Sequence, residues 1–202
     1  MMIRLQPPDR PEIEYHTMRL IVGLIALSLA GLTSFFSQVP LESISASYHE
    51  GGWPRNIFVG FLFAISAFLL AYNGRSTPEM VLSKVAALAA QGIAMFPCAC
   101  GEHEEIIPHV HYVSAALMFL VLAYFCYAFY ARAAAKGHPQ ARARGIIYLL
   151  CGFTILASMA ILALNGMAGN AYNSSFPRLT FYGEGASLIA FGIAWLTASR
   201  ML

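Results

Sequence analysis

The side chains best suited to chemistry gather in one stretch, CACGEHEEIIPHVH, residues 98–111. It holds two of the four cysteines, three of the six histidines and three acidic residues. Cys98, Cys100 and His103 offer thiolate and imidazole ligands, which suit zinc or copper. The single spacer in Cys98-x-Cys100 differs from a thioredoxin-like C-x-x-C. A metal clasp and an oxidised pair are both open readings, and two free loop cysteines are the expected state. His109 and His111 follow Pro108, a residue that suits the first turn of a helix. Helical residues two apart point about 200° from each other, so both histidines reach one metal only if the segment is extended. His111 is expected to face inward, beside Tyr112 and on the same helical face as Ser114.

Two further segments carry polar groups. SISASYHEGGWPRN, residues 43–56, places Ser45 four positions before His49, with Tyr48, Glu50 and Arg55 close by. Ser45 and His49 share a face if this segment is helical. Glu184 stands about one turn inside the last apolar run, three residues before Ser187. A carboxylate inside a membrane costs a few kcal/mol unless it is paired. Arg55, Arg178 and His111 are its expected partners. Together Ser45, His49, Arg55, His111 and Glu184 are expected at one depth, contributed by different elements. Such a set can bind a metal and activate water. In that reading His49 and His111 are metal ligands, Ser45 and Glu184 are catalytic, zinc is the candidate metal, and Tyr48, Arg55 and His109 complete the polar site. The same groups can instead satisfy one another as a hydrogen-bonded belt. Haem binding would require His49 and His111 to face each other.

The elements that must position these residues are membrane helices. Apolar residues make up 58 % of the 202, and charged residues 11 %, against about 25 % in an average soluble domain. The net charge of +2 gives nucleic-acid binding no electrostatic support. Four cysteines in such a chain are not a disulfide framework. Apolar runs cover residues 20–36, 57–72, 81–96, 110–131, 146–164 and 181–196. A span needs roughly 20 helical residues, with a minimum near about 17. Backbone groups in lipid must be satisfied within the segment, which leaves helices as the solution. The expected fold is therefore all-α, a polytopic bundle of six transmembrane helices over residues 19–202. A polar tail, residues 1–18, precedes it and is broken by Pro7, Pro8 and Pro11. The acidic Asp9, Glu12 and Glu14 are unlike a signal peptide, so the tail is expected to stay attached.

Charge sets the expected orientation. Arg4, Arg10, Arg19, Arg75, Lys84, Arg132, Lys136, Arg142, Arg144 and Arg200 fall on one side of the six spans, and Arg55 and Arg178 on the other. The positive-inside rule places both termini in the cytoplasm. Residues 37–55, 97–109 and 165–180 then face outward. Gly60, Ala64, Ala67 and Ala71 form a small-residue stripe expected at a helix–helix contact. The alanine-rich third run is expected to be central, with Lys84 snorkelling to the surface. Cys126 and Cys151 are expected to be plain core residues.

The segment SISASYHEGGWPRNIFVGFLFAISAFLLAYNG, the Phe96-Pro97 stop, the His111 entry and EGASLIAFGIAWL resemble a group of small six-span bacterial membrane proteins of uncharacterised function. The resemblance covers most of residues 43–196 and implies a multi-pass protein of the bacterial inner (plasma) membrane. An acidic residue is expected after the arginine in that group, where this chain has Asn56. More remotely, Ser45-x-x-x-His49 is similar to the Ser-x-x-x-His of the alkaline ceramidase and adiponectin-receptor superfamily. That similarity implies a zinc-dependent hydrolase. The late His-x-x-x-His and the seventh span of that superfamily have no counterpart here. Two functions follow as expectations. One is a structural or auxiliary subunit whose partners are the bilayer and other membrane-complex subunits. The other is a metal-dependent hydrolase of a lipid or amide at the extracytoplasmic leaflet.

Overall fold

The computed structural model describes residues 15–101 and 103–199. The expected tail, residues 1–18, lies outside them except for its last four residues, and so do Arg4, Arg10 and Arg200. Among the described residues all regular structure is helical. The long helices are α1 (Tyr15–Phe36), α3 (Gly52–Ala71), α4 (Thr77–Met95), α5 (Val110–Ala134), α6 (Pro139–Met167) and α7 (Leu179–Ala198). A single turn, α2 (Ser47–Glu50), precedes α3, and a short 3₁₀ turn (Ala171–Ser174) precedes α7.

These helices pack as a closed ring. Each long helix packs on the next in sequence, and α7 returns to α1. Five of them are long and apolar enough to cross a membrane: α1, α3, α5, α6 and α7. The fourth helix, α4, falls outside that set. Its apolar content comes largely from alanine, and Glu79 and Lys84 stand in its first half. It is a member of the ring and not central, a correction: it packs on α3 and α5 with Ala86, Ala87, Ala89, Ala90 and Ala94 buried, while Val81, Leu88 and Met95 are exposed on its outer face.

The small-residue stripe is a correction. Gly60, Ala67 and Ala71 are exposed and Ala64 is half-buried. The buried face of α3 carries Phe58, Leu62, Ile65 and Leu69 instead. These recur at the i, i+4, i+7 and i+11 positions of one helical face and join the packed core, where large side chains make more van der Waals contact than the stripe would. Close approach occurs elsewhere, between α1 and α7. A Cβ on Gly192 would stand 2.8 Å from the Leu27 side chain and 3.0 Å from the Gly23 carbonyl oxygen. Glycine at both positions allows the two backbones to meet.

Local chemistry fixes the helix ends. The Ser76 side chain accepts the Glu79 amide at the start of α4, and the Glu79 carboxylate accepts the Arg75 amide in return, a variant of the capping box. Gly74 has φ 63°, and a Cβ there would stand 2.4 Å from Glu79 Cβ. Glycine supplies both the left-handed turn and the room. Lys84 Nζ donates to Tyr72 O at 2.8 Å and to Asn73 Oδ1 at 3.2 Å, holding the C-terminal end of α3. A cation there also complements the helix dipole.

Charge divides the bundle between its two ends. Among the described residues, one end holds Arg19, Arg75, Lys84, Arg132, Lys136, Arg142 and Arg144 against Glu79 alone. The other holds Arg55 and Arg178 with Glu42, Glu50, Glu104, Glu105 and Glu184. The candidate residues cluster at this acidic end.

Candidate functional site

At the acidic end, three elements meet through a short chain of hydrogen bonds. Ser45 lies in the turn just before α2, His111 is in the first turn of α5, and Glu184 is in the second turn of α7. Ser45 Oγ stands 3.1 Å from His111 Nε2 and 3.4 Å from Glu184 Oε1. Glu184 Oε2 accepts the Ile44 amide at 2.6 Å. His111 Nδ1 faces the Phe96 carbonyl oxygen at 2.8 Å. Three of the expected site residues, Ser45, His111 and Glu184, are thus brought together. Ser45 and His111 are buried, and Glu184 is half-buried.

The proton inventory constrains this chain. A carbonyl oxygen only accepts, so His111 Nδ1 carries a hydrogen and donates it to Phe96. With the ring neutral, Nε2 accepts the Ser45 hydroxyl. That hydroxyl has one proton, so it cannot also donate to Glu184. All contacts are satisfied only when one more proton is shared, either on Glu184 donating to Ser45 or on His111 Nε2 donating to Ser45.

The remaining candidates go elsewhere. Ser45 and His49 do not share a face, because α2 begins at Ser47, after Ser45. His49 Nε2 faces the Cys98 carbonyl oxygen at 2.7 Å, and its ring stacks on His103 with centroids 4.0 Å apart. Arg55 does not pair with Glu184. Its Nε donates to Tyr48 O at 2.6 Å, and its guanidinium lies 5.1 Å over the Tyr48 ring. Arg178 donates to Leu41 O at 2.8 Å and covers the Phe181 ring. Backbone amides thus take the place of the expected arginine partners of Glu184. His109 is exposed in a left-handed conformation with φ 66° at the start of α5, so it does not join His111. Ser187 donates to Gly183 O within its own helix.

The cysteine expectation is also corrected. Cys98 and Cys100 form a disulfide, with Cα atoms 5.3 Å apart, in place of two free loop thiols. The exposed Gly101 that follows has φ 64° and lets the chain turn there. Cys126 and Cys151 are free and buried, as core residues should be.

Among the described residues, no group of three or more His, Cys, Asp or Glu side chains is placed to hold a metal. Both ring nitrogens of His111 are engaged, Nε2 of His49 is engaged, and the two loop thiols are joined. The described residues therefore do not fit a zinc site. A haem would need the same nitrogens.

Ser45 and His111 have the geometry of a nucleophile and its base, with the Phe96 carbonyl orienting the ring. Beside them is a small pocket lined by Leu29, Phe58, Leu62, Met118, Phe119 and Leu188. Acyl transfer also needs free donors for the developing oxyanion. The neighbouring amides are committed: Ile44 N to Glu184, Ala46 N to Ser43 Oγ and Ser47 N to Ile44 O. The arrangement is closed on itself, and it ties the loop before α3 to α5 and α7.

Buried Asn165 is a feature that sequence reasoning missed. Its side chain donates to Asn173 Oδ1 at 2.9 Å and accepts the Tyr172 amide at 3.1 Å. A lone Asn at the end of an apolar run, followed by an Asn-rich loop, was the available signal. Compared with family models, curated proteins and solved structures, the chain matches none of them.

Proposed function

We propose that this chain is a six-span integral membrane protein acting as a structural or auxiliary subunit of a membrane complex, with both termini in the cytoplasm. One observation carries the non-catalytic part of this reading. Among the described residues, Ser45, His111 and Glu184 are bonded to one another and to backbone, and the Ile44, Ala46 and Ser47 amides beside Ser45 are committed. Buried polar networks that are fully satisfied rigidify a fold and specify its packing. The charge division supports the orientation through the positive-inside rule. In this reading α4 is the sixth span, with Val81, Leu88 and Met95 facing lipid. The outward stripe of Gly60, Ala64, Ala67 and Ala71 leaves α3 with a face that a neighbouring membrane helix fits closely. Extraction in mild detergent followed by native mass measurement tests the reading. Co-purifying membrane subunits in defined ratio are expected. A monodisperse monomer without partners contradicts it.

A second reading is a hydrolase at the extracytoplasmic leaflet, favoured by the contact between Ser45 Oγ and His111 Nε2. Its metal-dependent form is tested by metal analysis of the purified protein. No bound metal, and no metal loss on His111→Ala, would sink that form.

A further inference from the structure

The basic end of the bundle holds a second polar feature, separate from the candidate site. Arg19 of α1, Arg75 before α4, Arg132 and Lys136 at and after the end of α5, and Arg144 of α6 line one pocket. His138 and the aromatic rings of Phe129 and Tyr148 complete its wall. These cations come from distant parts of the sequence, so the fold has gathered them. Like charges held in one pocket repel unless something offsets them. Among the described residues the one ion pair is Arg132 with Glu79. Arg19 is partly spoken for: it donates to Ala198 O at 3.0 Å and to the Tyr72 hydroxyl at 3.1 Å. Its Nε is buried and has no hydrogen-bond partner. Arg75, Lys136 and Arg144 have no acidic partner among the described residues.

Two further facts identify the ligand class. First, the 29-residue helix α6 begins at the pocket, with His138 as its N-cap and Ala141 in the wall. The amides and dipole at a helix start favour an anion. Second, the pocket lies at one end of the apolar helices α1, α5, α6 and α7, the level at which bilayer headgroups stand. An anion with its own apolar chains would keep them in the bilayer beside the bundle while its charge entered the pocket. Basic pockets between membrane helices take anionic headgroups in this way.

We propose that this pocket binds the headgroup phosphate of an anionic phospholipid. The inference rests on the bundle crossing a membrane and not on the subunit reading. Native mass spectrometry of the full chain from nanodiscs tests it, using phosphatidylglycerol or cardiolipin against phosphatidylcholine, with inorganic phosphate as competitor. Near-stoichiometric retention of the anionic lipid is expected, and none of phosphatidylcholine. Replacing both Lys136 and Arg144 by Gln should weaken retention roughly thirty-fold, since each surface cation contributes about a factor of five. The conservative Arg144→Lys should keep most of it, and unchanged gel-filtration profiles will show that the variants fold. Displacement of the lipid by inorganic phosphate supports recognition through the phosphate itself. Phosphate binding without lipid binding overturns the lipid assignment in favour of a soluble phosphate compound. Equal retention of both lipid types, or no effect of the double substitution, overturns the site.

Discussion

Replacing Glu184 by Ala should loosen the acidic end as a unit. The Glu184 carboxylate accepts the Ile44 amide at 2.6 Å and meets Ser45 Oγ at 3.4 Å. Removing it leaves the Ile44 amide without an acceptor, and that amide belongs to a buried residue. A hydrogen bond to a charged group is worth about 1.5–3 kcal/mol, and an orphaned buried donor costs about 1–3 kcal/mol. Side-chain bonds in membrane bundles average only about 0.6 kcal/mol, which fits the long Ser45 contact. The loss should therefore be about 2–3 kcal/mol. On the scale of soluble domains of similar size that lowers Tm by roughly 4–12 °C. Glu184→Gln retains an acceptor oxygen and should cost about half as much. Thermal unfolding in detergent, followed by circular dichroism, gives the comparison. If Glu184→Ala unfolds with the wild-type protein, the carboxylate does not hold the loop and the reasoning fails.

Other outcomes follow from the same geometry. Gly192→Leu forces a side chain into Leu27 and the Gly23 carbonyl, so unfolding should come easier by about 1–3 kcal/mol or more, whereas Gly60→Leu, facing outward with open space, should leave the isolated protein unchanged. Glu79→Ala removes the acceptor of Arg132 and of the Arg75 amide, and a drop of about 1–3 kcal/mol is expected in chemical denaturation; a neutral result would mean that the pair is incidental. Maleimide labelling of the folded protein should modify no cysteine before reduction and Cys100 ahead of all others after it, because Cys98, Cys126 and Cys151 are buried. Labelling of either loop thiol without reductant would contradict the disulfide.

The helices were legible because long apolar runs in this chain have few alternatives. Each predicted run lies within an observed long helix to within about one residue, and α4 and α6 extend beyond their runs to where Ser76 and His138 cap them. Faces were harder to read. The Gly60–Ala71 stripe is conspicuous in sequence, yet Phe58, Leu62, Ile65 and Leu69 take the interior, where large side chains make more packing contact. At the site, the meeting of Ser45, His111 and Glu184 was legible from common depth. The departure of His49 was not, since it depends on α2 starting at Ser47 and not at Ser45. Backbone partners are invisible to residue spacing for the same reason. Nothing in the types or spacing of Ile44 and Phe96 marks their amide and carbonyl as partners of Glu184 and His111.

The account stands or falls on Ser45 being a structural hydroxyl. Treating the intact protein in membranes with a lipid-soluble fluorophosphonate, and reading adducts by peptide mass spectrometry, addresses this directly. The account predicts no adduct at Ser45, because Ser45 is buried and its neighbouring amides offer no free oxyanion donors. Stoichiometric modification of Ser45 that disappears in His111→Gln would contradict it and establish a serine hydrolase centre in its place.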